Sequence, residues 1–333
     1  MNYWKNKKVL ITGINGFVGG NLCKAFLEKE ADVYGLIRNN NLDTFLFYEK
    51  LNKKIKIFTG DLCDKELISR IISEEQINRI FHLAAQVEVG VGMLNPYLTL
   101  ETNVRGTYSL LEACRLFPDK LDSIIIASSD KSYGSYPIKK MPYKEDYPLI
   151  PKFPYDTSKA CADLIAQSYA NDVYKLPIII TRFCNIYGPG QLNFSALVPD
   201  GVRSALKYSK FISRSDGSMV RDFLHIDDVC KLYLMMGEEL AGNPSIRGEI
   251  FNAGPNNPVS VRYILETIFS LVNNHEDLNN IFETMNDKKT SGEIDYQSMD
   301  FKKVNKYFGW SPSINLKKGI QLTIDWYKGY LSK

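Results

Sequence analysis

The stretch Leu10-Ile-Thr-Gly13-Ile-Asn-Gly16-Phe-Val-Gly19 decides the fold of this 333-residue chain, because it joins an apolar strand pattern to the start of a helical one. Glycine permits a tight turn there and lets backbone N–H groups approach a pyrophosphate, which the positive end of a helix also attracts. The spacing Gly-x-x-Gly-x-x-Gly differs by one residue from the commoner dinucleotide fingerprint. A plain glycine turn is the alternative, but the position immediately after the first strand favours a phosphate-binding loop.

Outward from this loop, the first half of the chain alternates short apolar runs with longer amphipathic ones. Strands that are covered on both faces have this short, β-branched and nearly continuous apolar character. The runs that predict strands are Val9–Thr12, Asp32–Ile37, Ile55–Phe58, Arg79–Leu83, Ser123–Ala127 and Pro177–Phe183, and the main helical patterns are Phe17–Lys29, Pro96–Phe117 and Ser158–Tyr174. Such alternation predicts an α/β fold with a Rossmann-type, doubly wound parallel sheet.

After Asn185 the pattern changes to that of a smaller, mixed α/β substrate-binding lobe. The turn-rich run Tyr187–Asn193 marks its start, and Asn252–Pro258 marks a second joint. Asp227–Gly237 predicts a helix that packs back on the sheet, and the polar segment Asn273–Gly292 predicts a surface loop with one short apolar strand. We therefore predict a dinucleotide-binding domain of residues 1–186 plus about 225–252, and a substrate-binding domain of about 187–224 plus 253–333.

The bulk composition is that of an ordinary globular protein, with 44% hydrophobic and 24% charged residues and a net charge of +3. No strong field favours nucleic acid or a membrane surface as a partner. The six cysteines are scattered singly and the three histidines lack metal-ligand spacing, so we expect reduced thiols and no metal site. The sequence has neither a signal-peptide pattern nor an apolar run of about 18 residues, and we expect a cytoplasmic protein.

The residues around the carboxyl ends of the predicted strands are the candidates for binding a dinucleotide. They are Gly13, Asn15, Gly16, Phe17, Val18 and Gly19 in the first loop, Asp61 and Leu62 after the third strand, Leu83, Ala84 and Ala85 after the fourth, and Asn103. The second strand ends at Arg38 and offers no acidic residue, which favours the 2′-phosphate of NADP. Since an arginine can also stack on adenine or face solvent, both NAD and NADP stay open.

The pattern Tyr-x-x-x-Lys occurs three times, and only its context singles out Tyr155-Asp-Thr-Ser-Lys159. This copy begins a long helical pattern, where residues i and i+4 share one face. Ser129 ends the fifth strand, at the edge where doubly wound sheets bind ligands. We expect Lys159 to lower the pKa of Tyr155, so that its phenolate accepts a hydroxyl proton while hydride leaves for the nicotinamide. The alternative is that Tyr155 is only a helix-start aromatic residue.

Five motifs occur in one order along the chain and together resemble the extended short-chain dehydrogenase/reductase family of nucleotide-sugar enzymes. They are the glycine loop, His82-Leu-Ala-Ala-Gln86, Ser128-Ser-Asp-Lys-Ser-Tyr-Gly134, Tyr155-x-x-x-Lys159 and Arg221-Asp-Phe-Leu-His-Ile-Asp-Asp228. The resemblance covers essentially the whole chain. It implies a catalytic triad of Ser129, Tyr155 and Lys159, the latter two also contacting a tightly bound and recycled NAD(P), and a nucleotide-diphosphate sugar as substrate.

Asp130 and Lys131 distinguish the reactions that the family carries out. A 4,6-dehydratase needs a general acid at the C6 hydroxyl and a base near C5, which Asp130 and Lys131 can supply if burial shifts their pKa values. The triplet Ser-Asp-Lys is similar to that of CDP-glucose 4,6-dehydratases, although Tyr133-Gly134 and a missing tryptophan-containing insert depart from that subfamily. A turn cap at Asp130 with a solvated Lys131 is the structural alternative. A C4 epimerase, a C4 dehydrogenase and a non-enzymatic NAD(P)-binding regulator are the functional ones.

Several polar residues of the second lobe are candidates for binding the substrate. They are Asn185, which matches a family position at the sugar diphosphate, Asn193 and Arg221 for the diphosphate, Arg214 for the ribose or base, and Glu88. For Arg214, a solvated surface charge is an equally good interpretation. His225 is expected to have a structural role. Apolar residues on more than one face of the patterns Pro96–Phe117 and Ser158–Tyr174 predict a helix-bundle homodimer, with a homotetramer as the alternative.

Overall fold

The computed structural model describes residues 2–213, 215–285 and 294–332. Seven parallel strands form the central sheet, in the spatial order β10-β6-β5-β4-β1-β2-β3. The strands of this sheet are β1 (Lys8–Thr12), β2 (Asp32–Ile37), β3 (Lys56–Thr59), β4 (Arg79–His82), β5 (Ser123–Ala127), β6 (Ile178–Phe183) and β10 (Ile250–Ala253). The order reverses between β1 and β4, so the prediction of a doubly wound Rossmann-type sheet is confirmed.

Two small sheets extend from the carboxyl edge of the central sheet. Strand β7 (Asn185–Tyr187) pairs in parallel with β9 (Phe223–His225), and β8 (Val220–Arg221) pairs antiparallel with β11 (Val259–Ser260). β7 follows β6 after a single residue, so the second lobe begins directly at the sheet edge. This connection places polar residues of the second lobe over the carboxyl ends of the central strands.

The helices of the first part of the chain are α1 (Phe17–Glu28), α2 (Phe45–Tyr48), α3 (Lys65–Glu74), α4 (Val89–Leu94), α5 (Pro96–Leu100), α6 (Gly106–Arg115) and α7 (Pro154–Tyr169). The later helices are α8 (Leu197–Ala205), α9 (Ile226–Gly242), α10 (Val261–Leu271), α11 (His275–Met285), α12 (Lys302–Phe308) and α13 (Leu316–Leu331). Short 3₁₀ turns occupy Leu51–Lys54, Asp130–Tyr133, Ile138–Lys140 and Pro244–Ile246. Within the described ranges, none of these helices is both long and apolar enough to cross a bilayer.

Three predicted elements differ from the structure. The pattern Pro96–Phe117 is interrupted by a π-helical turn at Glu101–Arg105 that brings the Asn103 side chain against Ser158. Helix α7 begins four residues before the predicted Ser158, because Pro154 occupies its first position, and it ends at Tyr169, where the Asn171 side chain caps the following turn.

The prediction of a loop over Asn273–Gly292 was wrong for its described part, which forms helix α11. Leu278, Ile281 and Met285 are three, four and seven residues apart on this helix, and their side chains are buried against α10 and α8. Polar residues between them obscured this amphipathic spacing. Residues 286–293 lie outside the described residues, as does any short strand predicted among them.

Hydrophobic clusters cover both faces of the central sheet and fill the second lobe. Successive residues of one strand contribute to opposite faces, for example Ile124 and Ile125 of β5. The third cluster packs α8, α10, α11 and α13 together. β10 belongs to the central sheet, and α9 packs against α1 and β5. The predicted division of the chain into domains stays a prediction.

Candidate active site

The glycine loop after β1 leaves no room for side chains. Gly13 has a φ of +69°, and a Cβ atom there would lie 2.7 Å from the Ala84 Cα. A Cβ atom on Gly19 would lie 2.3 Å from the Gly13 carbonyl oxygen. The Gly16 N–H donates to that same oxygen at 2.9 Å, and α1 begins at the next residue. The loop thus turns the chain tightly from β1 into α1.

The amino end of α1 fits a bound pyrophosphate. Gly16, which precedes the helix, is exposed, and no side chain among the described residues caps the first turn. The first turn also contains no acidic residue. Its N–H groups and the positive end of the helix dipole therefore suit an anion, as a dinucleotide cofactor requires.

A buried histidine fastens the loop after β4 beside the glycine loop. His82 Nδ1 lies 2.8 Å from Thr12 Oγ1, and His82 Nε2 lies 3.0 Å from Thr107 Oγ1. Burial lowers the pKa of His82 to about 3, so the ring is neutral. Thr12 Oγ1 also accepts the Ala84 N–H at 3.3 Å. Ala84 consequently lies next to the glycine turn, and the contact of Ala84 and Ala85 with a cofactor stays a prediction.

Asn103 connects this same loop to helix α7. Its side-chain oxygen accepts the Gln86 N–H at 2.7 Å, and its Nδ2 donates to the Gln86 carbonyl at 2.9 Å and to Ser158 Oγ at 2.8 Å. The amide is buried and engaged by protein groups. Its observed contacts are therefore those of a positioning residue, and direct cofactor binding by Asn103 stays a prediction.

The remaining cofactor candidates lie along the same edge of the sheet. Arg38 is exposed just after β2, and exposed Asp61 accepts the Cys63 N–H at 2.8 Å. Leu62 is buried against Gly106. Asn15, Phe17, Val18 and Leu83 are half-buried near the glycine loop. These positions border one surface, and the roles of the individual residues stay predictions.

The three triad candidates meet where β5 ends beside α7. Tyr155 and Lys159 lie one turn apart in α7, and Ser129 follows β5 as the first residue of a tight 3₁₀ turn. The Ser129 hydroxyl lies close enough to the Tyr155 phenol to influence its pKa. Burial raises the pKa of the Tyr155 phenol, and the Asp130 charge raises it further, while the neighbouring Ser129 hydroxyl lowers it. The net direction is opposite to the effect expected from Lys159.

The contacts of the Lys159 ammonium group explain why the pKa of Tyr155 is not lowered as expected. Its Nζ donates to the Ala127 carbonyl oxygen at 2.7 Å, at the end of β5. Burial lowers the pKa of Lys159 to about 8, and the nearby Asp163 carboxylate partly offsets that effect. The ammonium group is therefore anchored on the sheet in this structure, and its desolvation places its titration close to neutral pH.

Asp130 is a buried acid beside the triad. It is 4% exposed, its Oδ1 accepts the Ser129 hydroxyl at 3.0 Å, and its Oδ2 has no hydrogen-bond partner among the described residues. Burial raises the pKa of Asp130, although the charges of Lys131 and Arg221 oppose this. A carboxyl group with a raised pKa can hold a proton and donate it. Lys131 is half-buried on the same turn.

The substrate candidates are divided between this site and its surroundings. Buried Arg221 lies close enough to lower the pKa of Asp130, and its guanidinium donates to the Val220 and Ile294 carbonyl oxygens. Asn185 Nδ2 donates to the Asp222 carbonyl at 3.3 Å. Asn193 closes a local turn with Ser195, and Glu88 is exposed before α4. Arg214 lies outside the described residues.

Two aromatic residues of the second lobe take structural positions. Tyr187, the first residue of the turn-rich run, is buried in the core of the lobe, with its ring edge-on to His225 at 5.4 Å. His225 caps α9 by accepting the Asp227 N–H at 3.3 Å. Its ring is buried, which agrees with the structural role expected from the sequence.

A buried ion pair behind the triad was missed at the sequence level. Arg182 of β6 binds both oxygens of Asp163 at 2.8 and 2.9 Å, and its Nη1 donates to the Tyr133 hydroxyl at 3.0 Å. Tyr133 in turn donates to Asn252 Oδ1 at 2.8 Å. Asp163 follows Lys159 by four residues, and this helical spacing was the available signal. The pair connects α7 to the turn that carries Asp130 and Lys131.

A dinucleotide loop and a buried tyrosine–lysine pair on one sheet edge define the short-chain dehydrogenase/reductase class. A family model described as GDP-mannose 4,6-dehydratase matches residues 10–323. Human dTDP-D-glucose 4,6-dehydratase is 30% identical over 330 residues, covering 97% of this chain and 90% of that protein. A putative UDP-glucose 4-epimerase of Methanocaldococcus jannaschii is 30% identical over 322 residues, covering 96% and 98% of the two chains.

Solved structures agree with these relatives. The dTDP-glucose 4,6-dehydratase of Bacillus anthracis, crystallised in complex with NAD, superimposes with a TM-score of 0.83 at 28% identity and covers 98% of both chains. The chain therefore belongs to the GDP-mannose 4,6-dehydratase family of nucleotide-sugar enzymes. The prediction of an enzyme of this kind, made from the order of the motifs, is confirmed at the level of the family.

Proposed function

We propose that this chain is an NAD-dependent 4,6-dehydratase that converts CDP-glucose to CDP-4-dehydro-6-deoxyglucose. The observation that carries the proposal is Asp130, a buried carboxyl group directly beside Ser129, with a raised pKa and with one oxygen that has no hydrogen-bond partner among the described residues. An epimerase or a simple dehydrogenase needs proton and hydride transfer at C4 alone. A dehydratase also needs an acid to protonate the departing C6 hydroxyl, and Asp130 has the environment for that task.

The residues divide the chemistry as follows. Tyr155, next to Ser129, accepts the C4 hydroxyl proton, and Lys159 stabilises the resulting phenolate electrostatically once its ammonium group turns from the Ala127 carbonyl. NAD, when bound at the glycine loop, would supply the reversible hydride acceptor that oxidation at C4 and reduction at C6 both need. Lys131 removes the C5 proton, which the C4 ketone acidifies, while Asp130 protonates the C6 hydroxyl and water leaves. A proton returned to C5 completes the deoxysugar.

The choice of cytidine as the nucleotide rests on Lys131. The resemblance associates Ser-Asp-Lys with CDP-glucose enzymes, and an acidic residue at the third position with dTDP-glucose enzymes. The relatives named above act on dTDP-glucose or carry a UDP-glucose name, so dTDP-glucose and UDP-glucose are the competing substrates. NAD is the proposed cofactor because the Bacillus anthracis relative was crystallised with it. Arg38 keeps NADP as the alternative.

A helix-bundle homodimer is the proposed assembly. Helices α5 and α6 both pack on α7, and these three helices leave apolar side chains in solvent, including Tyr97 of α5 at 73% exposure and Leu164 of α7 at 56%. Exposed apolar side chains on adjacent helices favour burial against a second copy. A tetramer, which would need a further contact surface, is the alternative.

The function is tested by incubating the purified protein with NAD and CDP-glucose, with dTDP-glucose, UDP-glucose and GDP-mannose in parallel. We expect the CDP-glucose product to lose the mass of one water without net formation of NADH. A Tyr155→Phe variant is the control for hydride transfer and should abolish the reaction. Preference for another nucleotide would correct the substrate. An unchanged mass with altered stereochemistry at C4 would replace the dehydratase with an epimerase, the name carried by one relative.

A further inference from the structure

His82 lies in the middle of a line of buried hydrogen bonds that crosses the molecule from the glycine loop to helix α6. Its Nδ1 lies 2.8 Å from Thr12 Oγ1, and its Nε2 lies 3.0 Å from Thr107 Oγ1. The histidine is 3% exposed and the two threonines are buried as well. The proposed mechanism gives these three side chains no role, although they lie directly beneath the site.

The carbonyl group of Asn103 fixes the direction of the bond at Thr107. Thr107 Oγ1 lies 2.6 Å from Asn103 O, and a carbonyl oxygen only accepts, so the threonine donates its single hydroxyl hydrogen there. Thr107 Oγ1 can then only accept from His82. The hydrogen of this second bond therefore belongs to His82 Nε2.

The other ring nitrogen of His82 must be an acceptor. Burial and the nearby Lys159 charge lower the pKa of His82 to about 3, so the ring is neutral and carries one N–H. With that hydrogen on Nε2, Nδ1 accepts from the Thr12 hydroxyl. Thr12 Oγ1 itself accepts the Ala84 N–H at 3.3 Å. Every hydrogen in the line thus points the same way, from Ala84 toward the Asn103 carbonyl.

The two ends of this line lie at the predicted cofactor loop and at the catalytic helix. At one end, Ala84 packs so closely on the glycine loop that a Cβ atom on Gly13 would lie 2.8 Å from the Ala84 nitrogen. At the other end, the Asn103 side chain donates to Ser158 Oγ at 2.8 Å, and that hydroxyl donates to the Tyr155 carbonyl oxygen at 2.7 Å. One imidazole ring therefore lies between the cofactor loop and the turn of α7 that carries the catalytic tyrosine.

We propose that His82, as the neutral Nε2–H tautomer, is a positioning residue that fixes Tyr155 relative to the dinucleotide. Hydrogen bonds aligned in one direction strengthen one another, and in this tautomer each donor has its own acceptor. In the other tautomer, His82 Nε2 and the Asn103 carbonyl would compete for the one hydroxyl hydrogen of Thr107. The inference rests on the proposed function only where turnover is measured, because the tautomer and the affinity for NAD are independent of the sugar.

The first test is the tautomer itself, measured on the unmodified protein. Proton–nitrogen correlation NMR of protein carrying isotope-labelled histidine shows which ring nitrogen bears the hydrogen, and the His82 signals are those that disappear in His82→Gln. We expect a protonated Nε2 and an unprotonated Nδ1 at neutral pH. A hydrogen on Nδ1, or on both nitrogens, would overturn the inference.

The second test is Thr107→Val, which keeps the shape of the side chain and removes the hydroxyl group. We expect kcat to fall at least about tenfold while KM for the nucleotide sugar stays within about twofold, because the substrate contacts remain and only the placement of Tyr155 is relaxed. The dissociation constant for NAD, measured by calorimetry, should rise at least about fivefold, because the Ala84 segment is no longer held. Thr107→Ser, which restores the hydroxyl group, should recover both values.

Thr323→Val, on α13, is the matched control. Thr323 is buried, and its hydroxyl donates to the carbonyl oxygen four residues earlier, at Gly319, as that of Thr107 does at Asn103. The control should lower the unfolding midpoint to a similar extent and leave kcat and NAD affinity unchanged. Wild-type kcat and NAD affinity in Thr107→Val, or an equal loss in both variants, would overturn the inference.

Two further results are kept apart from these. If Thr107→Val does not fold, the tautomer in the unmodified protein decides. If the wild type turns over no nucleotide sugar, the proposed function fails, and the tautomer and the affinity of Thr107→Val for NAD decide the inference about His82.

Discussion

At position 130, a carboxyl group is held out of water between a catalytic hydroxyl group and an arginine. One oxygen of Asp130 accepts from Ser129, the other has no partner among the described residues, and Arg221 lies close enough to act on its charge. Since burial dominates, the pKa of Asp130 is raised. This shift is in the direction that general acid catalysis requires, because a carboxyl group with a raised pKa keeps its proton at higher pH than an exposed one.

Asp130→Asn removes this acid while preserving its size and its contact with Ser129. We expect kcat for dehydration to fall by about 10²–10⁴-fold, the typical contribution of general acid–base catalysis. Oxidation at C4, followed as NADH absorbance in a single turnover, should persist. Asp146→Asn, which changes an exposed carboxylate on the following loop, is the control. Unchanged dehydration in Asp130→Asn would contradict the assigned role.

The burial of His82 leads us to expect that the folded protein loses stability as the pH falls. Its pKa is lowered from 6.5 to about 3 by burial, so between these pH values the unfolded chain binds a proton that the folded chain does not. Stability is therefore present above pH 6.5 and is lost as the pH falls toward 3. For this one group, the free energy of unfolding should fall by about 1.4 kcal/mol per pH unit.

The measurement is urea denaturation of the wild type and His82→Gln at several pH values across that range. The variant should be less sensitive to acid than the wild type, because it lacks the titrating ring. His275→Gln, at the exposed start of α11, should keep the slope of the wild type. Parallel curves for the wild type and His82→Gln would show that His82 does not account for the acid sensitivity.

Helix α7 joins the catalytic pair to the sheet through Asp163. The Asp163–Arg182 ion pair is fully buried and makes two hydrogen bonds, and Arg182 continues to Tyr133 at the end of the Asp130 turn. Asp163 also acts on Lys159, one turn earlier, by raising its pKa. Helix, strand and turn are thus held in one arrangement by a single guanidinium group. Removing one partner would leave a buried charge uncompensated.

Asp163→Asn should lower the free energy of unfolding by about 3–5 kcal/mol, measured by urea denaturation, because Arg182 would remain charged and buried. The matched control is Asp172→Asn, whose partner Arg247 forms an exposed ion pair at 3.0 Å. Exposed pairs contribute about 0–1 kcal/mol, so this control should stay near the wild type. Equal effects of the two substitutions would show that burial of the Asp163 pair does not determine its contribution.

At the scale of the whole molecule, the apolar surface is concentrated on the helices next to the site. Leu94, Tyr97, Leu100, Tyr108 and Leu164 are exposed on α4 to α7. These helices also carry Tyr155, Lys159 and the Asn103 turn, so an assembly through them would rigidify the elements that position the catalytic pair. The proposed dimer would bury this surface.

Leu164→Glu tests the assembly directly. A carboxylate there should not change the folded monomer, since Leu164 is exposed, but its burial in a dimer would be unfavourable. Light scattering coupled to size-exclusion chromatography should therefore show the wild type as a dimer and the variant as a monomer. Leu42→Glu, exposed on a different part of the chain, should leave the mass unchanged. A wild type that is monomeric would contradict the proposal.

The sequence by itself determined the parallel sheet, the phosphate loop and the residue types of the triad. These features depend on local signals, namely strand periodicity, glycine spacing and a Tyr-x-x-x-Lys pair at a helix start, which the chain displays within a few residues. The family followed from their order. The exact ends of the elements were harder to predict from the sequence. Helix α11 was not predicted, because its conformation depends on the packing of a mostly polar segment on α10.

Only the tertiary structure decided how the site behaves chemically. Burial raises the pKa of Tyr155 and Asp130 and lowers that of Lys159, and the partners that produce or oppose these shifts come from distant parts of the chain. Arg182 is a single residue without a motif, and its importance follows from its buried charge. Desolvation and hydrogen-bond satisfaction are properties of three-dimensional neighbours, which residue order does not specify.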